Sequence, residues 1–329
     1  MRKLLLGTTA LAAAGAMLTN AAIADVSISG YYEWVYNSRS STQNSGATSL
    51  DGTSFGSDSE ITMKFSNKTD SGLTVGMVTE FETDDGNSAV NESSLSIAGG
   101  FGKVVLGGND GVGDNYGISA QDLIAEEATP TVMSASIGTS SDITQGDGDA
   151  NKIAYHLPAM GGLTVGASFA DSGSKEVSTD TTAFGGRYVM DAGGNAITIG
   201  YATQTTEAAT SDTDSSNMGI KIVSGDMSFS VAKGEVESVA DDIETTGVSA
   251  SYKMANGMVL GVYSMKSEDD KDTAEEYTKS GVEVQYTIAA GLTAYINVDD
   301  YEYTAATSGG QTTTSDSGTN SKLTIKATF

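Results

Sequence analysis

From Asp25 to Phe329 the chain alternates apolar and polar residues with a period of two, in one short segment after another. That period marks a strand with one wet face and one apolar face. The last segment is the clearest: Leu323, Ile325, Ala327 and Phe329 share one face, Lys322, Thr324, Lys326 and Thr328 the other. Ile61, Met63 and Phe65 oppose Thr62, Lys64 and Ser66 in the same way, as Val282, Val284, Tyr286 and Ile288 oppose Glu283, Gln285 and Thr287. Residues 257–265 have no clear phase, and helical periodicity is nearly absent. Two kinds of break alternate between the segments. Short glycine-marked turns fall at 70–72, 99–102, 158–162, 191–195, 224–226, 255–257 and 289–291, built from residues that take positive φ or cap themselves. Longer polar, acidic loops fall around 40–56, 84–88, 109–150, 172–178, 207–214, 237–242, 268–275 and 304–316. Seven short and eight long connections join sixteen strands.

Antiparallel strands with short turns at one end and long loops at the other predict an all-β transmembrane barrel. Closure satisfies every backbone hydrogen bond, which lipid cannot do for an open sheet. About 16 strands leave an aqueous lumen. The polar faces agree, because Lys64, Glu80, Glu82, Lys221, Lys253, Glu283 and Lys326 lie in phase with Thr and Ser, and so many charges would be costly in a filled interior. A two-sheet sandwich is the soluble alternative, but it does not explain the alternation of short and long connections. Tyr32, Trp34 and Tyr36 share one face, which fits an aromatic girdle or plain cross-strand packing.

The N-terminus sets the compartment. Arg2 and Lys3 precede an apolar run from Leu4 to Leu18, and Ala22-Ile23-Ala24 has the A-x-A pattern, the layout of a secretory signal peptide. Residues 1–24 are expected to be a signal peptide, cleaved between Ala24 and Asp25, with the barrel formed by 25–329. Loss of Arg2 and Lys3, and of no acid, takes the net charge from −26 to −28. Such a charge disfavours nucleic acid as a partner, since phosphate binding needs clustered Lys and Arg. The chain has no cysteine, which excludes disulfides and thiol chemistry.

Catalytic and metal patterns are weak. His156 is the sole histidine and stands beside Pro158 at a strand end, with nothing to orient a nucleophile toward it. The glycine-rich stretch 107–117 lacks the Gly-Lys-Ser/Thr ending of a phosphate loop. Asp147, Asp149 and Asn151 begin like a calcium loop, but Lys152 stands where Gly is needed and Pro158 where Glu is needed. No catalytic site, cofactor or firm metal site is therefore expected. Structural Ca²⁺ bridging the acidic pairs Asp84-Asp85, Glu126-Glu127, Asp241-Asp242 and Asp269-Asp270 is the one cofactor possibility left open, against a plainly solvated acidic surface.

Several segments look familiar when taken in order. Val26-Ser27-Ile28-Ser29-Gly30, Thr69-Asp70-Ser71-Gly72-Leu73 and residues 101–107 (Phe-Gly-Lys-Val-Val-Leu-Gly), together with the terminal Phe329, resemble the alphaproteobacterial general porins along the whole length after residue 24. The resemblance implies a trimeric outer-membrane barrel of a Gram-negative bacterium, set in outer-membrane lipid and lipopolysaccharide. It also implies that Phe329 is the assembly signal read by the barrel-assembly machinery. The third loop, 109–150, would fold into the lumen and carry the acidic side of a constriction through Asp110, Asp114, Asp122, Glu126 and Glu127. The basic side departs from the family, because only Arg39 and Arg187 follow residue 24 as arginines. The candidates are Lys64 and Lys322, with Lys326 lower in the wall and Arg39 near the rim, or these simply line a wide wet lumen. The expected function is passive diffusion of small hydrophilic solutes and ions, with cations preferred. The alternatives are a solute-specific porin and a non-conducting structural or adhesive barrel. Tyr295, Tyr301 and Tyr303 share the lumen phase but do not by themselves make a binding track.

Overall fold

The computed structural model describes residues 25–43, 51–83, 90–125, 150–171, 180–208, 211–271, 275–304 and 315–329. The first strands are β1 (Asp25–Gln43), β2 (Gly52–Lys68), β3 (Thr74–Glu82), β4 (Ser93–Gly99) and β5 (Gly102–Gly108). After a short helix α1 (Val112–Tyr116) and a 3₁₀ turn (Ala120–Leu123) come β6 (Asn151–His156), β7 (Leu163–Ala170), β8 (Asp180–Asp191) and β9 (Asn195–Glu207). The chain continues through β10 (Thr213–Ser224), β11 (Met227–Glu237), β12 (Asp242–Lys253) and β13 (Val259–Asp269). It ends with β14 (Glu275–Ala289), β15 (Leu292–Thr304) and β16 (Asp316–Thr328).

Each strand pairs antiparallel with its sequence neighbours, and β1 pairs with β16, so sixteen strands close a barrel. Closure runs from Tyr31↔Thr328 to Gln43↔Asp316. Phe329 and Gly30 add a reciprocal backbone pair at 2.9 and 3.4 Å. The period-two faces come out as expected. Ile61, Met63 and Phe65 point out with Val26, Ile28 and Met77, while Thr62 and Lys64 share the inner face with Glu80, Ser27 and Ser29. The segment without a clear phase is β13, whose register places Gly261, Tyr263 and Met265 inward. Its sequence is hard to phase because inward positions carry Tyr and Met while outward Ser264 and Lys266 are polar.

Two expected loop boundaries are corrected. The stretch 40–56 is mostly strand, since β1 runs to Gln43 and β2 starts at Gly52. The break at 237–242 is a tight turn, with Ser238 N donating to Asp241 O (2.8 Å) and Ser238 Oγ accepting from Ala240 N and Asp241 N. A serine can close a turn with its hydroxyl and needs no glycine.

The outer surface is banded. Exposed Val231, Val248, Val262 and Ile296 lie mid-wall. Tyr188, Phe229, Tyr252 and Tyr286 ring the short-turn end, and Phe55, Phe169 and Phe184 the other, as girdles at two lipid–water interfaces would. Trp34 and Tyr36 both contact Phe55 across the strands at 5.4 Å, so girdle and cross-strand packing are one feature here. Above the band, outward Lys233 bridges Glu235 and Glu244 (2.7 and 2.8 Å), and Lys266 bridges Glu268 and Glu276 (2.7 and 3.1 Å). Among the described residues no helix is long and apolar enough to cross a membrane; the strands do the crossing.

Candidate functional site: the inward loop and the wall it faces

After Gly108 the third loop turns into the lumen. α1 packs on β7, β8 and β9, and the 3₁₀ turn packs on β11, β12 and β13. The wall accepts it because its inner face is stripped of side chains along the path. A Cβ at Gly166, Gly185 or Gly200 would stand 2.5–2.8 Å from atoms of Tyr116, one at Gly219 2.6 Å from Ile118, one at Gly247 2.6 Å from Ala120, and one at Gly261 2.7 Å from Ile124. Ala154, Ala183 and Ala202 complete the track under Val112 and Tyr116. Close approach of two backbones is what strand glycine commonly marks.

Polar anchors fix the loop in that track. Asn217, 1% exposed, accepts from Ile118 N (2.8 Å) and donates to Ile118 O (3.1 Å). Ser168 accepts from Val112 N (3.1 Å), Ser230 donates to Ser119 O (3.0 Å), and Glu283 Oε1 accepts from Ala125 N (2.9 Å). Ser249 donates to Ala120 O, Arg187 to Gly117 O and Lys152 to Asn109 O. Tyr116 Oη lies 2.8 Å from His156 Nδ1. Burial raises the Tyr116 phenol above its ordinary value, against the opposing pull of Arg187, so it stays a hydroxyl that can donate to the ring. His156 is thus a buttress of the loop. Replacing Asn217 with leucine strands two buried backbone groups, at about 1–3 kcal/mol each. Amide exchange at Ile118 should then speed up by about 10- to 100-fold, read by hydrogen–deuterium exchange. An unchanged rate would show that the loop is held elsewhere.

The sequence-predicted acids distribute unevenly. Asp110 and Asp122 are exposed on the loop and Asp114 is half-buried. Asp122 also accepts from Ser119 N (3.3 Å) in a capping box. Glu126 and Glu127 lie outside the described residues, as do Asp84, Asp85, Asp147, Asp149 and the segment ending at Ala24; Asp25 opens β1. Across the lumen, β16, β1, β2 and β3 form the facing wall. Lys64 stands there opposite Ser27 and Val78, and Lys322 opposite Asn37 and Asn297. Lys326 is ion-paired with Glu33 and lies 4.3 Å over the Tyr31 ring. Arg39 pairs with Asp316 (2.9 Å) and donates to Tyr301 Oη (2.7 Å).

The facing wall is also richer in acid than the family's basic wall implies. Glu33 sits opposite Asp58, and Glu60 opposite Glu82, with Glu80 beside Thr62. Glu33, Asp58, Glu60, Glu80 and Glu82 therefore share this wall with Lys64, Lys322, Lys326 and the Arg39–Asp316 pair. Glu33, Asp58 and Glu60 lie on the polar phase of β1 and β2, but the sequence does not single them out because only the register shows that they gather opposite one another on this wall. Tyr295, Tyr301 and Tyr303 do face inward but are 9%, 4% and 4% exposed. Tyr301 and Tyr303 pack with Tyr277, Met265 and Ile243 instead of lining the passage. At the acidic pairs Asp241-Asp242 and Asp269-Asp270, Asp269 Oδ1 accepts from the backbone N–H of Asp242 and Lys271, and the Lys271 ammonium donates to Ser238 O and Asp241 O. Among the described residues no three carboxylates or histidines come together as metal ligands.

The chain that closes this sixteen-strand barrel around an inward third loop matches the profile described as Gram-negative porin over residues 7–306. The chain belongs to the Gram-negative porin family. It is an outer-membrane channel protein, and the solved structures it resembles include porins. The anion-selective porin of Comamonas acidovorans superposes with a TM-score of 0.65 at 17% identity, covering 93% of this chain and 100% of that one. A mutant of the Rh. blastica porin gives a TM-score of 0.67 at 16% identity, covering 93% and 100%. The in-vitro folded, trimer form of OmpT from Vibrio cholerae gives 0.63 at 15% identity, covering 93% and 99%. At these identities the likeness concerns the fold. No curated protein matches the sequence.

Proposed function

We propose that this porin passes small hydrophilic solutes by passive diffusion and prefers cations modestly. The supporting observation is acid on both sides of the passage: Asp110, Asp114 and Asp122 on the loop, and Asp58, Glu60, Glu80 and Glu82 on the facing wall. Much of the basic charge is spent on structure. Arg187 and Lys152 hold loop carbonyls, and Lys326 and Arg39 hold carboxylates. Fixed charge in a narrow, low-dielectric passage concentrates counter-ions. The Comamonas porin is anion-selective, but at its level of identity the charges along the wall of this chain decide. In a KCl gradient the zero-current potential should therefore carry the sign of cation preference. The preference should fade between 0.1 M and 1 M salt, as the screening length drops from about 10 Å to about 3 Å. Glu60→Gln, Glu80→Gln and Asp122→Asn together should move the potential toward the anion side, and Lys64→Ala the other way. A potential indifferent to the triple substitution at low salt would remove these acids from the ion path.

The same reading makes the protein a homotrimer, exported by a signal peptide over 1–24. The trimer form of the Vibrio protein supports this, and so does strand length. β3 to β7 have 9, 7, 7, 6 and 8 residues. Seven residues tilted at about 40° rise about 18 Å, against an apolar band of about 25 Å. This low wall, with exposed Met77, Leu95 and Ile153, is better covered by a neighbouring protomer than by lipid.

A further inference from the structure

Resting on the porin reading, one concavity of the channel wall carries a more specific inference. Between β16, β1 and β2, on the inner face, lies a hollow of about 650 Å³. It exists because β2 offers only Gly52, Ser54 and Gly56 inward along this stretch, opposite Arg39, Asn37 and Val35. The hollow is polarised along the barrel axis. Glu33 and Asp58 face each other at its deep end, while Lys322 stands level with Asn37 and Arg39 level with Asn320 toward the long-loop end. Two acids and two bases line it, so it repels neither sign of ion overall and favours a ligand carrying both.

We infer that this hollow is a transient binding site for short zwitterionic solutes of the tripeptide class, on their way through the pore. The spacing selects the class. The Glu33 row and the Asn37 row are four strand residues apart, about 13 Å, and an extended tripeptide spans about 10 Å. Its ammonium reaches the carboxylate of Asp58, which is exposed and already accepts from Tyr31 Oη at 3.1 Å. Its carboxylate reaches the ammonium of Lys322, with Asn37 and Asn320 as further donors. The peptide backbone lies over Val35 and Gly56, where no long side chain competes for the space. Glu33 and Arg39 keep their partners Lys326 and Asp316 and shape the ends of the hollow. At neutral pH both termini of a tripeptide are ionised.

The test uses the full-length porin in a planar bilayer, with triglycine, its C-terminal amide and its doubly capped form as probes. Triglycine should interrupt the open-channel current about fivefold more often than its C-terminal amide and about 25-fold more often than its doubly capped form, the scale of one and of two solvent-exposed charge pairs. In Lys322→Gln the ratio to the amide should fall toward one, in Asp58→Asn the ratio to the doubly capped form should fall to about fivefold, and taking ratios within each variant cancels any change in bare conductance. Equal interruption of the wild-type channel by all three probes overturns the inference, and so does an amide as effective as triglycine. A membrane that carries no current at all contradicts the porin reading instead.

Discussion

Replacing residues 109–150 with an Asn-Gly turn should leave a closed barrel whose unitary conductance is severalfold higher. Gly108 and Asn151 are register partners on adjacent strands, so a two-residue turn can join β5 to β6. The loop contributes apolar burial through Val112, Ile118 and Ile124, about 1.5–3 kcal/mol per side chain, and the truncated protein should be less stable by a comparable amount. The strand ladder is untouched. The groups that held the loop, Asn217, Ser168, Ser230, Ser249, Arg187 and Lys152, become wetted by the lumen and are not left unsatisfied. Uncovering Arg187 and Lys152 while removing Asp110, Asp114 and Asp122 should also weaken the cation preference. Conductance unchanged in a folded barrel, by circular dichroism, would mean that the limiting passage lies away from the loop.

The second large effect is expected at the C-terminus. Phe329 is 82% exposed and continues the outward face of Leu323, Ile325 and Ala327. Its backbone is engaged at the seam, with Gly30. We propose that this large aromatic, which contributes so little to packing, serves recognition by the machinery that inserts the barrel. Phe329→Ser should therefore lower the yield of heat-resistant trimer in the outer membrane, with unfolded chain accumulating before insertion. Refolding of purified chain into detergent should be nearly unaffected, because the seam hydrogen bonds are backbone to backbone. Equal trimer yield for both chains in cells would exclude that role.

The barrel is legible in the sequence because a wet lumen and a lipid exterior impose opposite chemistries on alternate residues. Sixteen strands can be counted wherever glycine or acid runs break that alternation. The pattern misleads at 40–56, where Gly52, Ser54 and Gly56 resemble loop residues yet line the inner face of β2. It misleads again at Ser238, which closes a turn without glycine. The inward path of the third loop is implied by resemblance, but its seat is not. The signal is present: Gly166, Gly185, Gly200, Gly219, Gly247 and Gly261 all fall on the lumen phase of their strands. Read singly, each looks like a weak strand position; only the register places them on one continuous path. Charge partners such as Lys326–Glu33 and Arg39–Asp316 lie hundreds of positions apart, so no local pattern announces them.

Single-channel recording of the purified protein in a planar bilayer tests the central claim most directly. The structure predicts stepwise, ohmic currents that rise in proportion to salt concentration and persist in the presence of small neutral sugars. A correctly folded barrel that inserts and yet carries no current would contradict an open, water-filled passage between the third loop and the β16–β3 wall.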